Sequence, residues 1–197
     1  GPKKRLAVLD HISSTGATIL PVERLTALFK ASGIAVMIDG AHAPGMLPLD
    51  VPKIGADWYA GNLHKWCYAP KGCAAMWTAP DRQQSLHPVV ISHDYGRGFP
   101  AEFDYVGTRD ASAWLAADAA LDYLNAFGMD ATQAYCRKLA FKTAAVLAEA
   151  WKTGISAAPA WRGHMASIRL PKAGPADRAA TRALTLKLLH EHGIMVP

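Results

Sequence analysis

Two short stretches hold side chains able to do chemistry. In Ile38-Asp39-Gly40-Ala41-His42-Ala43-Pro44-Gly45 a carboxylate and an imidazole stand three residues apart, and in Gly61-Asn62-Leu63-His64-Lys65-Trp66 an imidazole precedes a single lysine. A lysine confined to a compact loop can form a Schiff base with a carbonyl compound. The structural alternative is a solvated loop lysine above a packed Trp66, just as Asp39-Gly40 also reads as a turn and His42 as a hydrogen-bonded core histidine.

The elements around these stretches favour a site. Leu6–Leu9 reads as a buried strand. Pro21–Ser32 reads as a helix with Leu25, Leu28 and Phe29 on one face and Gly33 as its stop, and Ile34–Ile38 as the next strand. Strand, helix and strand in that order make a right-handed crossover with parallel strands. Asp39 and His42 therefore follow the carboxyl end of a parallel strand, where open α/β sheets hold ligands. Ala56–Ala60 and Gly72–Trp77 read as two further strands flanking the lysine loop, so the three groups leave strand ends in sequence order.

Pro80–Tyr105 is loop-rich, marked by Pro88, Gly96, Gly98 and Pro100. Helices are expected over Asp110–Phe127, capped by Asp110 and stopped by Gly128, and over Asp130–Lys152, stopped by Gly154. A strand over His164–Leu170, a helix over Pro175–His192 and the start of a strand at Ile194–Val196 close the chain. Two consecutive helices end the α/β alternation, which places a domain boundary near Gly154–Pro159. Both ends lie on strand-like runs, so the chain reads as part of a longer protein.

Composition narrows the function classes. The 197 residues are 51% hydrophobic and 19% charged, as in ordinary globular proteins. The formal charge of +5 is scattered and not arranged in a basic stripe with interleaved aromatics, which argues against nucleic acid as a partner. Cys67, Cys73 and Cys136 form no C-x-x-C pair, which argues against a disulfide scaffold or zinc ribbon and for a reducing, cytoplasmic setting. The apolar run from Leu6 stops at Asp10, and Ala111–Leu124 is broken by Asp118 and Asp122, so no membrane segment is expected.

The succession Asp39-Gly40-Ala41-His42, Gly55-Ala56-Asp57-Trp58-Tyr59 and His64-Lys65-Trp66 with Pro70-Lys71-Gly72 resembles the class V aminotransferase family, fold-type I enzymes that use pyridoxal 5'-phosphate. The Gly61–Trp66 and Ala69–Gly72 stretches are most similar to its isopenicillin N epimerase-like branch. The resemblance implies an α/β three-layer sandwich around a mostly parallel sheet, with residues 1–154 as part of a large cofactor-binding domain and 155–197 as part of a small α+β domain.

The resemblance also implies residue roles. Asp39 would pair with the pyridine nitrogen, His42 would reach the ring face or its 3-hydroxyl, and Lys65 would carry the cofactor and move protons at the α-carbon of an amino-acid substrate. His64 would donate to the cofactor phosphate, with Asn62 beside it. Ser14, in Asp10-His11-Ile12-Ser13-Ser14-Thr15-Gly16, would lie near the cofactor hydroxyl. Gly107-Thr108 resembles the segment that reaches the partner's cofactor phosphate in a homodimer, at a helix start that favours anions. The expected reaction is epimerisation, racemisation or transamination. The alternatives are a cysteine desulfurase-like or C–S lyase reaction and, in another class, a cofactor-free dimerisation module. The family's first phosphate-binding turn, its ring-stacking residue and its carboxylate-gripping arginine have no counterpart in this sequence. Cys67 stands apart from the desulfurase cysteine and reads as a small buried hydrophobe.

Overall fold

Apolar runs separated by turn residues organise the first eighty residues around a sheet. A computed structural model describes residues 5–171 and 177–196. Strand β1 (Leu6–Asp10) leads into helix α1 (Val22–Ala31), strand β2 (Ala35–Asp39), the short helix α2 (Val51–Ile54), strand β3 (Trp58–Asn62) and strand β4 (Ala74–Thr78). The sheet order is β1-β2-β3-β4, parallel from β1 to β3 and antiparallel at β4. Val36 and Ile38 of β2 are fully buried, and Ile12, Val22, Ala43, Met46 and Tyr59 are among the residues packed with them.

Three expectations about these elements need correction. The expected burial of β1 is not met: Leu6 and Val8 are 50% and 61% exposed, and among the described residues β1 pairs with β2 alone. Leu28 of α1 is 64% exposed, while Val22 and Thr26 are buried, so the inward stripe is rotated from the one that its apolar residues suggest. β3 begins at Trp58 and not at Ala56, because the Val36 N–H of the neighbouring strand is taken by the Asp57 side chain and not by a backbone carbonyl before it. The Asp57 carboxylate, 0% exposed, accepts from the Val36 N–H at 2.7 Å and from Arg82 Nε at 2.8 Å, with Lys30 Nζ at 3.5 Å. Burial works against the Asp57 charge, but the Val36 N–H and the Arg82 guanidinium outweigh it and hold the carboxyl below its usual range.

After β4 come two short helices, α3 (Pro80–Gln83) and α4 (Ala101–Asp104), separated by an irregular passage. Glu102, 3% exposed, organises that passage by accepting from the backbone N–H groups of Gly96 and Gly98 and from His87 Nδ1. The expected Asp110–Phe127 helix is broken at Ala116 into α5 (Ser112–Leu115) and α6 (Ala117–Phe127), with Asp110 accepting from the Ser112 N–H. Gly128, at φ +80°, turns the chain into the 23-residue helix α7 (Met129–Trp151). α7 ends at Lys152, itself at φ +53°, before Gly154 is reached.

The expected strand over His164–Leu170 does not form. Its one bridge joins Ile168 to Ile155, and the 3-10 turn at Pro159–Trp161 then carries the partner segment away before a ladder can extend. Helix α8 (Arg178–His192) is capped by Asp177 and stopped by Gly193 at φ +64°. The predicted first turn at Pro175 lies outside the described residues. Ile194–Val196 form no strand and pair with none among the described residues. Among those residues no helix is long and apolar enough to cross a membrane.

Candidate active site

The carboxyl ends of β1, β2 and β3 share one edge of the sheet, and the residues singled out by type collect there. Asp39 closes β2 in register with Asp10 of β1 and Ala60 of β3. The parallel pairing continues past the strand ends, since His11 N–H donates to Asp39 O and Gly40 N–H donates to Ala60 O. Asp39 is exposed, and its Oδ1 accepts from the Ala41 N–H at 2.9 Å, an Asx turn that starts the loop bearing His42.

That loop is pressed against the one bearing Lys65. Gly45 has φ +78°, and a Cβ on it would lie 2.4 Å from the carbonyl oxygen of Trp66. A Cβ on Gly61 would lie 2.7 Å from Pro44. Only residues without side chains allow this approach. Its result is that Lys65 Nζ lies 3.1 Å from His42 Nε2.

The chemistry of the pair follows from its donors. A charged lysine has donors only, so Lys65 donates to Nε2 and the imidazole proton resides on Nδ1. Nδ1 is buried with no hydrogen-bond partner. Burial first, and the Lys65 charge second, hold the His42 imidazole below its usual range, against the opposing pull of Asp39 and Asp10. Next to the lysine, His64 Nδ1 donates to the carbonyl of Cys73 at 2.8 Å. With Nδ1 so engaged, donation from Nε2 to an oxyanion requires the doubly protonated ring. Asn62 ends β3 opposite Ala74.

Two further expected members lie in exposed turns. Ser14 sits exposed in the turn of a small excursion closed by the Ile12–Ile19 bridge, and it is Ser13 whose Oγ accepts from the Gly16 N–H. Thr108 is exposed after Gly107, at φ +102°, with its hydroxyl 3.3 Å from that of Tyr105. A cavity of about 490 Å³ lined by Tyr68, Tyr123, Phe127 and Tyr135 contains none of Asp39, His42 and Lys65. Cys67 and Cys73 are 3% and 1% exposed, and burial pushes both thiols up, so neither is a ready nucleophile.

Sequence reasoning missed the layer beneath the site. Tyr59, 3% exposed, lies 3.0 Å through its hydroxyl from Nδ1 of the buried His11. Burial, reinforced by the Asp39 charge, pushes the phenol well above its usual range, so Tyr59 is a neutral prop. Strand alternation would have pointed Tyr59 inward, but nothing in the sequence pairs it with His11. His164 likewise packs edge-on against Trp66 with ring centroids 5.2 Å apart.

The profile of the "Aminotransferase class-V" family matches residues 1–197. The chain belongs to the class V aminotransferases. It is 40% identical over 176 residues to a putative L-cysteine desulfhydrase 1 of Oryza sativa subsp. japonica, covering 87% of this chain and 36% of the relative. It is 36% identical over 189 residues to an isopenicillin N epimerase of Streptomyces clavuligerus, covering 87% and 48%. The chain thus spans between a third and half of the length of these class V relatives. In solved structures the fold recurs in a cysteine desulfurase of Thermococcus onnurineus NA1, with TM-score 0.74 at 20% identity, covering 98% of this chain and 49% of the other. The α/β architecture with a mostly parallel four-stranded sheet is therefore the class V, fold-type I arrangement over half of its length.

Proposed function

We propose that the protein of which this chain forms part uses pyridoxal phosphate to break the carbon–sulfur bond of L-cysteine or a closely related β-thio amino acid. The observation that carries the pyridoxal reading is the contact of Lys65 with His42, on the sheet edge that also presents the Asp39 carboxylate. These residues fit the cofactor: an amine for its aldehyde, a carboxylate for its pyridine nitrogen, and an unpartnered buried Nδ1 on His42 for a ring substituent. His64, Asn62 and Ser14 would complete the protomer's contribution, and Thr108 would serve the phosphate of a second copy in a homodimer. When bound, the group supplies a sink for the electron pair left at the α-carbon.

The residues of this chain would contribute as follows. Asp39 would hold a positive charge at the ring nitrogen, and His42 would position the Lys65 amine. That amine, once free, takes the proton from the α-carbon. The sulfur would leave with the electron pair of its bond to the β-carbon, and uptake of water by the three-carbon remainder would yield pyruvate and ammonia beside sulfide. Preference for carbon–sulfur cleavage rests on the desulfhydrase relatives, which include the one at 40% identity. A second reading, inversion at the α-carbon, is favoured by the similarity to isopenicillin N epimerase.

The test is to incubate the chain with pyridoxal phosphate, reduce with borohydride, locate the adduct by mass spectrometry, and assay sulfide and pyruvate from L-cysteine. The expected result is an adduct on Lys65 with release of both products. An adduct on Lys53 or Lys71 overturns the assignment of the lysine. Exchange of the α-hydrogen for deuterium without sulfide moves the reading to epimerisation, and no adduct at all leaves the cofactor-free dimerisation module.

A further inference from the structure

The segment after His42, the first turns of α7 and the turn at Pro159–Trp161 line a cavity of about 390 Å³. Arg162 lines it and is 6% exposed. Arginine stays protonated in proteins, so this buried group cannot shed its charge to escape the cost of desolvation. Buried charges are otherwise paired, yet Arg162 Nε and Nη1 have no hydrogen-bond partner among the described residues. The guanidinium carbon sits 4.1 Å from the ring centroid of Phe141, which satisfies a face of the group and supplies no acceptor for its in-plane N–H donors. Arg137 lies on the same cavity wall and over the same ring at 5.0 Å, with its Nη2 donating to the Pro159 carbonyl. Asp130 is the acidic residue of the lining, and no ion pair joins it to either arginine among the described residues.

We propose that this cavity is a binding site for a small oxyanion, a carboxylate, sulfate or phosphate group, gripped by the in-plane donors of Arg162 with Arg137 as the second cation. A planar fork of N–H donors matches two oxygens of such an anion, and the space is ample for one. Met46, Leu47 and Pro48, which follow the loop that carries His42, complete the lining.

The test follows the arginine Nε–H resonances of the full chain by NMR during titration with sodium sulfate, and separately with succinate, at constant ionic strength in chloride. The Arg162 signal, assigned by its loss in Arg162→Gln, should move saturably. Arg137→Gln, a change on an exposed helix position, should weaken the apparent affinity at least threefold without altering the fold. Absence of saturation, an equal response to chloride alone, or an affinity unchanged in Arg137→Gln overturns the proposal. Sulfate binding retained at the same affinity in a folded Arg162→Gln does so as well.

Discussion

The ring of Tyr59 fills the space into which a side chain at position 40 would project: a Cβ on Gly40 would lie 2.1 Å from the phenol carbon and oxygen. Gly40 is therefore required by packing between β2 and β3, and the Asp39–His42 turn is shaped from below by Tyr59, a residue of the next strand.

Gly40→Ala should accordingly destabilise the protein by about 1–3 kcal/mol, the ordinary cost of overpacking a filled core. Urea unfolding of the single variant and of Gly40→Ala/Tyr59→Leu measures this. The double variant should recover part of the loss, and an additive loss would mean that the two positions do not compete for space.

Replacing Lys65 should change its neighbour as well as the capture of cofactor. The Lys65 charge is the second cause, after burial, of the lowered His42 pKa. In Lys65→Met the imidazole should titrate higher than in the parent chain, yet below the ordinary value because burial remains. An NMR titration of the His42 ring protons reads the shift, and a fall would contradict the 3.1 Å contact.

Stability should decline on mild acidification. His11, His42 and His164 all have pKa values lowered from 6.5, in each case chiefly by burial. The unfolded chain then binds protons that the folded chain refuses, so their contribution is complete above about pH 6.5 and is lost as pH falls from there toward the folded values, by at most about 1.4 kcal/mol per pH unit for each ring. Asp57 and Glu102, with lowered pKa values, act in the same direction but only below the ordinary carboxylate range. Urea midpoints at pH 7.5 and 5.5 should differ, and His11→Asn should reduce the difference.

Thr108→Ala should leave the fold intact, since the side chain is exposed. If Thr108 donates to a partner's cofactor phosphate, the variant should bind pyridoxal phosphate more weakly by about 1.5–3 kcal/mol, the worth of a hydrogen bond to a charged group. Sedimentation and cofactor titration together check this. A monomer whose cofactor affinity is unchanged in the variant would refute the shared site.

Local signals in the sequence were enough for the four strands and helix α1 up to Thr78, though not for the short α2, and for the turn at Asp39-Gly40, the helix stops at Gly33, Gly128 and Gly193, and the two loops with chemistry, because each depends on residues close in the chain. The parallel pairing of β1 with β2 followed from the strand–helix–strand crossover, and the structure adds β3 parallel beside β2, which brings Asp39, His42 and Lys65 to one edge. Tertiary packing alone decided the rest. The Asp57 side chain took the Val36 N–H and Arg82 while its backbone kept its bonds to Val36 and Ala79, and the run from His164 has no continuous partner among the described residues, since a strand exists only where another backbone answers its hydrogen bonds. The 3.1 Å approach of Lys65 to His42 depends on three glycines whose missing side chains would have met Tyr59, Trp66 and Pro44. Those are contacts across loops and strands, and a linear pattern of residue types carries no record of which surfaces will meet.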